Sequence, residues 1–318
     1  MVTPDLTIGV DVGGTKCLGV VLTADGQITV EHRVPTPKDA HDVVDAIAGL
    51  ASELQGAAPA ATRIGVGAPG LIDVDGVLRF APNLGAAAEL PLRAELEHQL
   101  PGSTIVVEND ANCAAWGEWV SGAARGVDDV LMITLGTGIG GGIILGGSLF
   151  RGANGFAGEI GHVVVDPNGP ACPCGQRGCW ERYASGSGLG WLAREAAVAG
   201  RAVRVVELAG GDPESVRGEH VTRAAAEGDA QAQAVMDRFA WWVALGLANL
   251  ANTFDPSRFV LGGGLVEAGA LLLEPVSRQF VELVEAAAHR PPIEIVPAAL
   301  GERAGAIGAA DLARRAGS

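Results

Sequence analysis

Basic residues are scarce in this 318-residue chain: 22 Lys and Arg stand against 37 Asp and Glu, a formal net charge of −15. Nucleic acid and anionic membrane surfaces need a broad basic face, so neither is expected as a partner. A phosphate ligand stays admissible, because backbone N–H groups and a divalent cation hold phosphate without net positive charge. Charge of either sign is limited to 19% of residues, against 48% hydrophobic, the composition of a compact globular protein and not of a disordered one. The length suits one large or two modest domains with a real core.

Other signals are missing too. The N-terminus, MVTPDLTIGVDVGG, has no basic segment ahead of its apolar run and carries Asp5 before it, which argues against a signal peptide. The apolar stretch Phe239–Phe254 is broken by Gly246, Asn249 and Asn252 and falls short of the ~18–20 residues that span a bilayer. Its Trp241, Trp242 and Leu245 read as a buried helix or one facing an oligomer partner, and the expected location is cytoplasmic. Disulfides are rare in such a compartment, so the five cysteines need another explanation. Cys17 and Cys113 sit in apolar segments and read as small core residues. A Walker G-x-x-x-x-G-K-[ST] and a redox C-x-x-C are both absent.

What is present is a repeated device. Leu6–Val10 and Leu18–Leu22 are apolar strands around Gly13-Gly14, which predicts a hairpin. Val130–Leu135 and Ile143–Leu145 flank the glycine turn Gly136–Gly142 in the same way, so two related α/β halves are expected. Val43, Ile47, Leu50 and Leu54 recur at helical spacing, Arg63–Ala68 reads as a strand, and Ser103–Val107 is a strand leading into a helix through Trp116 and Trp119. After Ser187 the chain reads as mostly helical, with a surface loop at Gly210–Glu219, a strand at Arg258–Leu261 and helices to the end. The expected layout is α/β with two lobes and a ligand cleft: residues 1–115 as a small lobe, 116–302 as a large lobe, and a helix over 303–318 packing back on the small one.

Three glycine clusters follow strands: DVGGTK (11–16), LGTGIGGG (135–142) and LGGGL (261–265). Gly136, Gly138 and Gly141 satisfy G-x-G-x-x-G, but a dinucleotide site needs those glycines to open a helix, and here a strand follows. Tight β-turns are the plainer reading of any one cluster. Three in one chain favour backbone N–H groups aimed at phosphates, with Thr15 and Thr137 adding hydroxyls. Asp110, at a strand-to-helix junction, reads first as a helix cap. Beside phosphate hairpins it also suits the base that takes a proton from an attacking hydroxyl, and Glu108 and Asn109 at the same strand end favour a ligand crevice. Cys172, Cys174 and Cys179 with His162 make a closed N/S set for a structural Zn²⁺, and the spacing C-x-C-x₄-C reads as a metal-stapled loop. Such a staple would aim Glu159 and Glu181 at one pocket, where carboxylates bind sugar hydroxyls strongly.

DVGGTK, ENDANCAAWGE, GTGIGGG, GEIGH, CPCGQRGCWE and LGGGL, in this order, resemble the ROK family of sugar kinases and repressors, from Asp11 to about Gly308. Within it the chain looks like the ATP-dependent glucokinases of actinobacterial type. The resemblance implies a two-lobed actin-like ATPase (ribonuclease-H-like) fold and phosphorylation of the glucose 6-hydroxyl by Mg²⁺-ATP. It implies Asp110 as the base and His162, Cys172, Cys174 and Cys179 as zinc ligands. Asn83, Asn109, Asp110, Glu159, His162 and Glu181 would line the sugar site. Gly13, Gly14, Thr15, Lys16, Gly136, Thr137 and Gly138 would meet the nucleotide phosphates, and Gly262, Gly263 and Gly264 the adenosine side. A homo-oligomer, dimer or tetramer, is implied as well. The motifs leave open N-acetylmannosamine, fructose or mannose as acceptor and polyphosphate as donor. A sugar-binding repressor is disfavoured, because no helix-turn-helix precedes the first hairpin.

Overall fold

The computed structural model describes residues 5–81 and 87–316. Its contacts divide the chain into two compact units, Met1–Met132 with Gly142–Gly158 and Ala298–Ser318, and Ile133–Gly141 with Glu159–Pro297. In chain order the elements are β1 (Thr7–Val12), β2 (Lys16–Leu22), β3 (Ile28–Pro35), α1 (Ala40–Ala57), β4 (Arg63–Ala68), β5 (Leu71–Ile72), β6 (Leu78–Ala81), β7 (Ala87–Leu90), α2 (Leu92–Gln99), β8 (Thr104–Asn109) and α3 (Asp110–Ser121). There follow β9 (Val130–Leu135), β10 (Ile139–Leu145), β11 (Ser148–Leu149), α4 (Glu181–Ala184), α5 (Gly186–Val198), α6 (Val203–Leu208), α7 (Gly218–Ala226) and α8 (Ala230–Phe254). The chain closes with β12 (Arg258–Gly262), α9 (Ala270–Leu283), β13 (Glu294–Pro297) and α10 (Ala304–Arg315). Among the described residues no helix is long and apolar enough to cross a membrane.

The repeat read from the glycine hairpins extends to sheet topology. One five-stranded sheet runs β3-β2-β1-β4-β8 and the other β11-β10-β9-β12-β13. Counting each sheet's own strands, both run third, second, first, fourth, fifth. In the first, β1 pairs antiparallel with β2 and parallel with β4, and β4 pairs parallel with β8.

Three details differ from the sequence reading. The second glycine turn is shorter, since β10 starts at Ile139 and absorbs Gly140–Gly142. Gly142 is there for packing: a Cβ would stand 2.4 Å from the Ala115 Cβ and 2.8 Å from the Ala111 carbonyl of α3. β3 was not expected because it carries Glu31, His32 and Arg33 and is half-exposed, the mark of a protected edge strand. β13 and the small β5-β6-β7 sheet are too short to show a period of their own.

The first unit buries its sheet in two ways. On one face Ile8, Val10, Ile64 and Val66 pack with Val43, Ile47, Leu50 and Leu54 of α1, the periodic residues of the sequence reading. On the other face Gly9 and Gly65, directly paired across β1 and β4, let α10 approach at backbone distance. A Cβ at Gly9 would lie 1.9 Å from the Ala306 carbonyl oxygen, and one at Gly65 would lie 1.8 Å from that of Ala309. The α3–α10 crossing repeats this, with Gly117 against Ala304 and Gly308 against Cys113. The contrast with Gly49, an exposed helical glycine with nothing within 4 Å, sets up a test. Gly65→Ala is expected to destabilise by at least the upper part of the ~1–3 kcal/mol overpacking range, whereas Gly49→Ala stabilises α1 by up to ~1 kcal/mol. Urea unfolding of the two variants, read against the parent, checks both signs.

Candidate functional site

β8 hands over to α3 at Asn109 and Asp110. Asn109 keeps the extended backbone of the strand (φ −63°, ψ 142°), and its side-chain oxygen accepts from the Asn112 amide at 3.1 Å. The cap is therefore Asn109 and not Asp110, because a cap must stay extended while its side chain reaches the third helical amide. Asp110 is already helical, and one of its oxygens accepts from the Ala111 amide at 2.8 Å. The Asn109 amide group also donates to the Gly70 carbonyl at 3.1 Å, so both its ends are engaged within the first unit.

Glu108 does not face a ligand crevice as its position at the strand end suggested. It is buried, and its oxygens accept from the Asn109 amide (3.0 Å), the Asn112 side-chain amide (3.0 Å) and Arg151 Nε (2.5 Å). Asp11, on β1 beside Gly67, is the carboxylate that shares the environment of Asp110. Burial and then the Asp110 charge push Asp11 up to about 7. Burial raises Asp110 as well, against the pull of the Ala111 amide. Two carboxylates that repel each other titrate as a pair, so at least one proton stays with them above the ordinary carboxylate range. Cys113 is pushed far up by burial, then by Glu108, Asp11 and Asp110, and remains an inert core thiol.

The β1–β2 turn is closed by the Gly13 amide donating to the Lys16 carbonyl at 3.0 Å, and Thr36 braces it by donating its hydroxyl to the Gly13 carbonyl at 2.7 Å. Gly14 and Thr15 are exposed at its tip. Lys16 lies on Glu302 at 2.5 Å. Asn83 lies outside the described residues.

In the second unit, the Gly136–Gly138 turn is closed by the Gly136 amide on the Gly138 carbonyl at 3.0 Å. The start of α5 ties it down: the Gly186 amide donates to the Gly136 carbonyl (2.8 Å) and the Ser187 hydroxyl to the Thr137 carbonyl (2.9 Å). Glu181 sits under this turn, accepting from the Ile139 amide at 2.8 Å, and a Cβ at Gly138 would meet its carboxylate at 2.3 Å. Gly262 ends β12, and Gly263 takes φ +84°, where a Cβ would lie 2.5 Å from the Leu135 carbonyl oxygen.

His162, Cys172, Cys174 and Cys179 bring their ligand atoms within 4.8 Å of one another. A tetrahedral Zn²⁺ with Zn–S ~2.3 Å and Zn–N ~2.0–2.1 Å sets S···S near ~3.8 Å and S···N near ~3.6 Å. Cys174 and Cys179 sulfurs lie 3.6 Å apart, and Cys172 Sγ lies 3.7 Å from His162 Nδ1, so the set fits the ion. Burial, then hydrogen bonds with Cys174 and Cys172, push Cys179 up to about 12, and burial raises Cys172. At Cys174 burial is outweighed by the Gln176 amide and the neighbouring thiols, and the net shift is downward. The protein by itself thus favours one thiolate, and a dication is the partner that lets three ionise together. His162 can serve two sides: Nδ1 faces the sulfurs, while Nε2 lies 3.9 Å from Glu159.

Residues 7–316 match the ROK family. The chain belongs to the ROK family. A glucokinase from Streptomyces coelicolor is 43% identical over 314 residues, 97% of this chain and 98% of that protein. A ROK family glucokinase from Streptomyces griseus, solved in complex with glucose and AMPPNP, superposes with TM-score 0.84 at 43% identity over 98% of this chain and 99% of that one. A ROK hexokinase from Thermus thermophilus gives TM-score 0.78 at 36% identity over 96% of each chain. The fold is the actin-like ATPase fold of ROK kinases.

Sequence reasoning assigned no role to Asp11, Arg151 or Trp180. Asp11 had a signal, an acid inside the otherwise apolar strand TIGVDV. Trp180, between the zinc-loop residue Cys179 and Glu181, is fully buried, donates to the Trp242 carbonyl at 2.7 Å, and fills the space a Cβ at Gly246 would take. The glycine read as an interruption of an apolar run is the seat of this anchor. The metal fit has a direct check. Elemental analysis of the purified ROK protein is expected to give about one Zn per chain, and Cys174→Ala to lose it. A folded, metal-free parent with unchanged melting temperature would rule the staple out.

Proposed function

We propose that this ROK protein is an ATP-dependent glucokinase that transfers the γ-phosphoryl group to the 6-hydroxyl of glucose. The observation that carries the reading is the near full-length 43% identity to a glucokinase, together with the likeness to a structure holding glucose and a nucleotide analogue. In the proposed step the sugar oxygen forms a bond to the γ-phosphorus as the bond to the bridging oxygen of ADP breaks, and the hydroxyl proton passes to Asp110. Little covalent work falls to the protein in such a transfer, so positioning and charge placement supply most of the catalysis.

Asp110 suits the base for a physical reason. Asn109 carries the capping load, which leaves Asp110 held at the first helical position with one oxygen on the Ala111 amide and the other without a side-chain partner among the described residues. A burial-raised carboxylate is also a stronger base than an ordinary one. Glu159, His162 and Glu181 of the second unit suit sugar hydroxyls, with zinc fixing the loop that carries His162. The exposed Gly14 and Thr15 tip and the Gly136–Gly138 turn suit the phosphates of Mg²⁺-ATP. Glucose and ATP are the proposed partners, and a homo-oligomer the proposed assembly.

The pH profile follows from the raised carboxylates. A base must be deprotonated, and a raised pKa keeps the proton on to higher pH, so activity is lost on acidification earlier than for a carboxylate at the ordinary value of 3.8. The acid limb of kcat/KM is therefore expected to lie above the ordinary carboxylate range, in the direction that burial moves Asp110. Asp110→Asn is expected to lower kcat by roughly 10²–10⁴, the usual worth of a general base, while glucose still binds. An acid limb no higher than that of an ordinary carboxylate, or near-normal turnover by Asp110→Asn, would contradict the assignment.

A further inference from the structure

Glu108 and Arg151 form a charged pair that the proposed reaction does not itself use. The Glu108 side chain is 7% exposed, and two of its three hydrogen bonds run to the segment that presents Asp110. One is from the amide of Asn109, immediately before Asp110, and the other from the side chain of Asn112, whose backbone amide donates to the Asn109 cap oxygen. The third comes from Arg151, on the stretch after β11. That stretch is itself fixed. The Ala157 amide donates to the Arg151 carbonyl at 3.0 Å, and Gly155 (φ +96°) packs so closely that a Cβ would lie 2.6 Å from the Ile72 carbonyl oxygen.

We propose that Arg151, acting through Glu108, is a positioning residue that holds Asp110 in its working orientation. This rests on the reading of Asp110 as base. Arg151 holds one Glu108 oxygen, Oε2, and a buried carboxylate that loses its cation turns toward water. That turn withdraws the other oxygen, Oε1, which accepts from both the Asn109 amide and the Asn112 side chain. Asn112 has little else to hold it: its side-chain oxygen is buried without a partner, so the bond to Glu108 sets the orientation of its amide group. The cap and the first turn of α3 then lose their fixed geometry, and with them the direction of the Asp110 carboxylate. Misplacement of a reacting group by ~1 Å costs about 10²-fold in rate.

The test compares Arg151→Met, Arg151→Lys, Glu108→Gln with Arg151→Met, and Asp110→Asn in the full chain. Readouts are kcat, KM for glucose and for ATP, and melting temperature. Arg151→Met is expected to lower kcat by about 10- to 100-fold with both KM values essentially unchanged. Arg151→Lys, which keeps the charge, is expected to recover most of the rate. The double variant is expected to be no slower than Arg151→Met alone, because both substitutions break one brace. Wild-type kcat per folded Arg151→Met molecule, even with a lowered melting temperature, makes the arginine merely structural and overturns the proposal. A loss carried by a raised glucose KM also overturns it, since the residue would then serve substrate binding. If Asp110→Asn turns over normally, the base reading itself has failed. If Asp110→Asn is inactive while Arg151→Met is not impaired, the brace alone has failed.

Discussion

Helix α10 meets β1, β4 and α3 with backbone against backbone, and the first unit is organised around that approach. Gly9 and Gly65 on the sheet, and Gly117 and Gly308 at the helix crossing, are each positions where a single methyl would enter a peptide group. Polar ties lock the contact at its edges. Asp311 of α10, buried, accepts from Trp116 of α3 at 2.9 Å and from Arg315 at 2.6 Å. Glu118 of α3, also buried, accepts from the amides of Ala123, Ala299 and Leu300. The last segment of the chain is thereby fixed to the helix that begins at Asp110.

Chemistry is placed by the same contacts. A Cβ at Gly305 would lie 2.4 Å from the Asp11 carboxylate, so the close approach of α10 also packs against Asp11 and shields part of it from water. Burial of this kind is the first cause of the raised proton affinity of both Asp11 and Asp110. The cost is a pair of carboxylates held in an environment that disfavours their charge, the usual state of a group tuned for proton transfer. In the second unit the loop from His162 to Glu181 is secured twice, by the N/S cluster and by Trp180 seated on Gly246 of α8.

Much of this was legible in the sequence where a local rule operates. The two glycine hairpins, the α1 periodicity and the four-residue N/S cluster follow from spacing alone, and the structure brings each of them together. What was not legible depends on partners far apart in the chain. No local pattern distinguishes Gly65 as a contact for Ala309 from a glycine in a turn. The capping role at the β8–α3 junction was read one residue late, because Asn and Asp are equally good caps and only the backbone angles separate them. Glu108 read as a ligand contact because its salt-bridge partner, Arg151, lies in a glycine-rich loop with no periodic signal.

Initial rates of the purified chain across donors and acceptors test the proposed phosphoryl transfer from ATP to glucose. Glucose, mannose, fructose and N-acetylmannosamine would each be paired with ATP and with polyphosphate, and the product identified by NMR. The highest kcat/KM is expected for glucose with ATP, with a product phosphorylated at the 6-hydroxyl. Preferred turnover of another acceptor, preference for polyphosphate, or no sugar phosphate at all would contradict it.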